Sequence, residues 1–344
     1  MDSHKSSASA YWTNAINTRL DPLDAAIATK SASERMEVLE KIHSEVRAIE
    51  AAVTLAKRRL NAALPVGRLH SEILGLDFEH CALDEPFFIE DERITIPPDR
   101  PHGLGWIRVT HVSRRWREVA LAHPSLWSII TFSNGTTWAE ESVRRCKAAP
   151  MFIDISHRYN LPREVLSRIL ASKMQQVHTL QLMTATRRDL PSSILSHPAP
   201  NLRTFRSTMW YFSGASLPSG LFAGQTPSLR TLDIKVSSNV DWNAPILNNL
   251  TTLNIQVSPP SATSAFSQSR IQDVLGALRR MPLLETLVLE IPKVQGVGDS
   301  LPDTSGVYLP RLGALELYDM RLAAVAVFLR HIHPPPRRHN RYIL

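Results

Sequence analysis

After residue 150 one spacing of residues returns six times, and it constrains the fold more than any other feature of the chain. An apolar residue is followed three positions later by a second, and two positions after that by a third residue. The triplets are Val177-Leu180-Leu182, Leu202-Phe205-Ser207, Leu229-Leu232-Ile234, Leu250-Leu253-Ile255, Leu284-Leu287-Leu289 and Leu312-Leu315-Leu317. Successive first positions lie 25, 27, 21, 34 and 28 residues apart. Pro200, Pro227, Pro282 and Pro310 stand just before four of them, where a proline can turn the chain into a strand. Helical stretches such as Pro162 to Ala171 and Ile271 to Arg280 lie between strand-like runs. A unit this short cannot bury its apolar face alone. Stacked units share a continuous core and form one parallel sheet.

Most of these intervals fall in the leucine-rich-repeat range of about 20–29 residues. The expected fold class is mixed α/β: an N-terminal helix, a small all-helical module, then an irregular leucine-rich-repeat-like α/β solenoid over residues 150–333. The alternative is an ordinary α/β domain whose strands begin with leucine. The L-x-x-L-x-L pattern arises easily by chance, and no Asn or Cys follows at the place such a repeat expects. A chain of 344 residues, 43% of them apolar, has the material for two cores or one elongated array.

Residues 1–20 are rich in Ser, Ala and Asn without a period and read as a disordered tail. Asp21-Pro22 then resembles a helix start, with Asp as N-cap and Pro in the first turn. Ser31-Ala32-Ser33-Glu34 repeats the signal as a capping box. Leu39, Ile42, Val46, Ile49, Val53, Ala56, Leu60 and Ala63 follow at alternating steps of three and four, so residues 21–63 are expected to form an amphipathic heptad helix. Glu37, Lys41, Glu45, Arg47 and Glu50 supply its polar face. Such a helix packs on its own protein or self-associates as a short coiled coil.

Pro65 and Gly67 end that pattern, and a second helix is expected through Leu69, Ile73, Leu74 and Phe78 as far as His80-Cys81. Residues 83–103 hold Pro86, Pro97, Pro98 and Pro101 among acidic residues and read as an irregular loop. Val109, Val112, Trp116 and Val119 then recur at three, four and three, the spacing of one helix face. Pro124 stops that helix, because the residue before a proline is pushed from the α region. Ser125-Leu126-Trp127-Ser128-Ile129-Ile130 closes the segment with apolar residues.

The run Val112-Ser113-Arg114-Arg115-Trp116-Arg117-Glu118-Val119-Ala120, followed by His123-Pro124-Ser125-Leu126-Trp127, resembles the F-box-like family abundant in fungi. That family carries an R-R-W-R helix and then a P-x-L-W closing segment. Its first helix opens with P-I, a short gap, L-P-x-E-I-L and F-x-H-C. Here Pro65-Val66, Leu69, Glu72, Ile73, Leu74, Phe78, His80 and Cys81 match, while His70 stands in place of the second proline and Asp77 in place of an apolar residue. The resemblance spans roughly residues 23–330 and makes residues 64–130 an F-box-like module. It implies a non-enzymatic substrate-recognition adaptor of a cullin-type ubiquitin ligase. The module would dock a Skp-type adaptor through Pro65, Leu69, Ile73, Leu74, Val112, Arg115, Trp116, Pro124, Leu126 and Trp127, with Trp116 and Trp127 chiefly in its core. The repeats would hold a target protein. A scaffold that has lost adaptor docking is the alternative reading.

Other functions find little in the sequence. The charge balance, 39 Lys plus Arg against 32 Asp plus Glu, is spread along the chain rather than gathered with aromatics as in a nucleic-acid binder. Cys81 and Cys146 are too far apart in sequence for a disulfide framework or a zinc site. No signal-peptide core or apolar run of about 18 residues occurs, so no membrane partner is expected and the setting is cytoplasmic or nuclear. Gly296-Val297-Gly298 lacks the third glycine of a dinucleotide loop, and no Walker or nucleophile-elbow pattern occurs, so neither cofactor nor catalysis is expected. His331-x-His333 reads as a solvated loop rather than a metal site. Leu161-Pro162-Arg163-Glu164-Val165-Leu166 resembles a second F-box opening but is read as a repeat helix. Residues 334–344, with Pro334-Pro335-Pro336-Arg337-Arg338-His339, read as a tail outside the repeats.

Overall fold

In the computed structural model each of the six triplets falls on, or just ahead of, a β-strand. The structure describes residues 2–29, 31–85, 105–132, 134–155, 163–182, 195–207, 220–236, 240–257, 271–291, 306–318, 320, 322–333 and 341–343. The acidic proline loop from Pro86 on, Gly296-Val297-Gly298 and Pro334 to His339 lie outside them. The chain forms two compact units, one of residues 1–77 with 109–119 and one of residues 78–108 with 120–344.

The first two helices are α1 (Asp2–Thr29) and α2 (Ala32–Ala63). Residues 2–20 of the expected tail are therefore helical, and Pro22 lies inside α1 rather than at its start. Among the many polar residues Trp12, Ile16, Leu20, Leu23 and Ile27 recur at helical spacing, and a neighbour gives that stripe something to pack on. Here Trp12, Ala15 and Ile16 of α1 line one groove with Ile49, Val53 and Ala56 of α2, and Arg19 pairs with Glu45. The second start signal is the one used. Glu34 accepts hydrogen bonds from the Ser31 amide (3.0 Å) and hydroxyl (2.7 Å), which satisfies donors that the first turn would otherwise leave open. Of the heptad stripe, Leu39, Val46, Val53 and Leu60 remain exposed, whereas Val38, one position off the stripe, is buried.

A 3₁₀ turn at Pro65–Arg68 leads into α3 (Ser71–Asp84). The helix expected from Val109 begins later, as α4 (Arg114–Ala122), because Ser113 caps it: its Oγ accepts the Trp116 amide at 3.2 Å. Val109 sits instead on a 3₁₀ turn, Gly105–His111. Pro124 does end α4, and Pro124–Trp127 forms another 3₁₀ turn.

The second unit carries β1 (Ile129–Thr131), α5 (Thr136–Cys146), β2 (Met151–Ile155), α6 (Arg163–Lys173), β3 (Val177–Leu182), β4 (Thr204–Ser207), β5 (Thr231–Val236), β6 (Thr252–Val257), α7 (Ile271–Arg279), β7 (Thr286–Glu290), β8 (Val307–Tyr308), β9 (Ala314–Tyr318), α8 (Leu322–His331), β10 (Ile332–His333) and β11 (Arg341–Ile343). Among the described residues nine strands form one sheet in the order β1-β2-β3-β4-β5-β6-β7-β9-β11, with all neighbours parallel. Strands β8 and β10 pair separately. Spatial order follows chain order, so each strand adds to the edge made by the one before. The sheet starts at residue 129, not 150, and Arg341–Ile343 of the expected tail supplies its last strand, on β9. Among the two histidines of His331-x-His333, His331 ends α8 and His333 lies in β10, so neither is in a loop.

The register explains the spacing of the triplets. Ile130, Ile153, Leu180, Phe205, Leu232, Leu253, Leu287 and Leu315 are successive partners across eight strands, and every one is buried. Two residues on, Leu182, Ser207, Ile234, Ile255, Leu289 and Leu317 form a second buried row. The first triplet positions stand at the start of each strand or just ahead of it, also buried. One backbone device holds this register. The residue ahead of a strand offers its carbonyl to two amides of the next unit: Arg203 to Arg230 and Thr231, Arg230 to Thr251 and Thr252, Thr251 to Glu285 and Thr286, and Glu285 to Gly313 and Ala314, all at 2.8–3.1 Å. Leu166, Ile169 and Leu170 of α6 and Ile271, Val274, Leu275, Ala277 and Leu278 of α7 contribute helical stripes to the same core.

Candidate functional site

In the first unit the motif residues meet around Arg115. Its guanidinium, half-buried, donates to the carbonyls of Gly67 and Leu69 and so ties α4 to the turn between α2 and α3. Gly67 packs so closely on the end of α2 that a Cβ there would fall on the Asn61 carbonyl oxygen. Leu74 is buried under this arrangement. Around it apolar side chains stay in solvent: Ile73 is 46% exposed, Leu76 51% and Val112 53%, with Leu64 and Val66 also exposed. Ile73 and Leu76, three residues apart, share one face of α3. Pro65 is exposed at the head of its turn, and Leu69 and Trp116 are half-buried. Trp116 is thus less of a core residue than the motif implied, because it borders an open cleft of about 490 Å³ instead of an enclosed interior.

The second unit holds the other motif residues. Leu126 and Trp127 are 5% exposed. The Trp127 Nε1–H donates to the Ala120 carbonyl at 3.0 Å, giving the buried indole its hydrogen-bond partner. Trp106 stands edge-on to it at 5.3 Å, Trp138 lies at 5.4 Å, and the Arg145 guanidinium covers the ring at 5.0 Å. Arg145 is itself positioned by Glu141 (2.6 Å) and the Leu121 carbonyl (3.0 Å). Pro124, half-buried, opens the turn that delivers Trp127. His123 and Glu79 share a 2.7 Å contact that holds the Glu79 carboxyl below its ordinary range. Trp127 and Leu126 therefore build a core and are not available for docking. Nothing in the local spacing of Trp106, Trp138 and Arg145 relates them to Trp127, so their closing on it was not legible beforehand.

The face of the sheet turned away from the core is a second candidate. One residue ahead of the first buried row, Thr179, Thr204, Thr231, Thr252 and Thr286 are register partners. Between the two buried rows a further outward row runs Asp154, Gln181, Arg206, Asp233, Asn254, Val288 and Glu316. These side chains are half-buried to exposed, so the face offers hydrogen-bond donors and acceptors at strand spacing. Partial burial pushes the Asp233 carboxyl up, and Arg206 at 3.9 Å pulls it back.

Among the described residues no group of three or more His, Cys, Asp or Glu could hold a metal ion, and no helix is long and apolar enough to cross a membrane. Cys146 is buried, with its thiol pushed up by desolvation, which makes it an inert core residue. Compared with protein-family models, curated proteins and solved structures, the chain matches none.

Proposed function

We propose that this chain is a non-enzymatic substrate-recognition adaptor of a cullin-type ubiquitin ligase, with residues 64–130 as an F-box-like docking module. The observation that carries the reading is a set of apolar side chains left in solvent: Ile73 and Leu76 on α3 and Val112 just ahead of α4, the helix that Arg115 ties to the turn leading into α3. Exposed aliphatic residues on a fixed scaffold suit a helical partner, because the ordering cost of the surface is already met. The adaptor would cover this surface, and the outward rows of the parallel sheet would hold the target, so that ligase and target share a high effective concentration. The irregular leucine-rich-repeat-like solenoid is part of the same proposal; it is supported by strands that stack in chain order at the triplet spacing.

The alternative is an interaction scaffold that lacks adaptor docking, and it draws on two observations, His70 and Asp77 at positions where the family carries proline and an apolar residue. Purification of the full chain with a Skp-type adaptor separates the two. Loss of the complex on Ile73→Glu or Leu76→Glu, with folding unchanged, is the expected result. A folded chain that never retains the adaptor leaves the scaffold.

A further inference from the structure

The cleft of about 490 Å³ in the first unit shares Val112, Arg115 and Trp116 with the proposed docking surface, but it also carries Lys57 and Arg58, which that docking does not use. It is bordered by the last turns of α2 and the start of α4. Lys57, Arg58, Arg114 and Arg115 contribute four cations, against a single carboxylate, Glu118. That carboxylate is already engaged by Arg114 at 2.7 Å. Arg115 is committed to the carbonyls of Gly67 and Leu69. Lys57 and Arg58 have no ion-pair partner among the described residues, although elsewhere Arg19, Arg108, Arg144, Arg145 and Arg168 all pair with a glutamate. The positive end of the α4 dipole adds to the field at the same place. Leu64, Val66, Val112 and Trp116 supply the apolar part of the lining.

We infer that this cleft binds an acidic polypeptide segment that carries a large apolar side chain. The unpaired Lys57 and Arg58 would meet the carboxylates, and the apolar lining beside Trp116 would take the anchor. A volume of about 490 Å³ is within the usual range of about 300–1,000 Å³ for ligand pockets, enough for an anchor residue and its neighbours. A nucleic acid is the less fitting anion, because three aliphatic side chains border the cleft and would stay in water against a phosphate backbone. The cleft shares Val112 and Trp116 with the proposed adaptor surface, and an assay without adaptor tests it independently of that reading.

The test is fluorescence anisotropy of a labelled peptide rich in Glu and Asp with one central Phe, titrated with the full chain at about 0.15 M salt, where weak surface attraction is screened. Saturable binding is expected. The double variant Lys57→Glu/Arg58→Glu should weaken it at least about tenfold, equivalent to about 1.4 kcal/mol, with an unchanged circular-dichroism spectrum. Replacing the Phe of the probe by Ser should weaken it similarly. Arg330→Glu, an exposed basic residue of the other unit, should leave it unchanged. Absence of saturable binding, equal loss with Arg330→Glu, indifference to the Phe, or tighter binding of random duplex DNA to the same cations would each overturn the proposal.

Discussion

Truncation of Leu253 tests how the sheet is held together. This side chain is fully buried in β6, between its register partners Leu232 and Leu287. Leu253→Ala removes three carbon groups, and at about 0.8 kcal/mol for each buried methylene the transfer loss alone is about 2.4 kcal/mol. Strands on both sides limit collapse of the space, so a cavity contribution brings the expected loss to about 3–5 kcal/mol. Thr252→Ala, on the outward face of the same strand, should cost less than about 1 kcal/mol. Urea unfolding followed by circular dichroism would measure both. Coupling sharpens the comparison. Leu232→Ala with Leu253→Ala should be non-additive by about 0.5–3 kcal/mol, because the two share one cavity. Leu232→Ala with Leu315→Ala, separated by β6 and β7, should add to within about 0.5 kcal/mol. Equal costs at Leu253 and Thr252 would show the strand phase to be wrong. Equal coupling for near and distant pairs would refute a core built from successive neighbours.

Three further outcomes are expected. Trp127→Ala should destabilise the second unit by about 3–5 kcal/mol in the same unfolding assay, since it empties the space between Trp106, Trp138 and Arg145; Trp116→Ala, at a half-buried position, should cost clearly less. Ile49→Asp, half-buried in the groove between α1 and α2, should lower the helical signal by placing a charge among apolar groups, whereas Glu37→Gln should not. The Glu141 carboxyl is held down to about 2 from its ordinary 4.5, chiefly by its hydrogen bonds to Arg144 and also by Arg145. A depressed carboxyl stabilises the fold above its unfolded value and loses that contribution as pH falls through the folded one. Melting curves of the wild type and Glu141→Gln should therefore differ near neutral pH and converge between about pH 4.5 and about pH 2.

The sheet was readable because its period is short and repeated. Each triplet puts its second and third members on one face, and in all six cases those members are the residues buried between neighbouring strands. The ends of the sheet were not readable for the same reason. Residues 129–131, 151–155 and 341–343 lack the triplet and join only because a parallel neighbour offers an open edge. In α1 a polar composition hid a helical stripe: Trp12, Ile16, Leu20, Leu23 and Ile27 recur at four, four, three and four, and Trp12 and Ile16 line the groove with α2. The start of α4 depended on one capping serine, Ser113, although the Val109-Val112-Trp116 spacing suggested an earlier turn. At the candidate site the sequence grouped residues by motif, whereas the fold divides them by burial. Leu74, Leu126 and Trp127 hold structure, while Ile73 and Val112 face solvent with Leu76, which the motif did not mark. Arg115 belongs to neither set, since it acts through two backbone carbonyls that no spacing could reveal.

The most direct test of the adaptor reading is quantitative binding of a purified Skp-type adaptor to the full chain, by calorimetry, for the wild type, His70→Pro and Leu76→Glu. Position 70 suits a proline: the Leu69 backbone before it is extended (φ −60°, ψ 143°), and the His70 carbonyl accepts the Leu74 amide at 3.1 Å as α3 begins. The account predicts saturable binding by the wild type, equal or tighter binding by His70→Pro, and loss of binding by a folded Leu76→Glu. A folded chain that binds no adaptor with either residue at position 70, or one that binds equally well with Leu76→Glu, would contradict it.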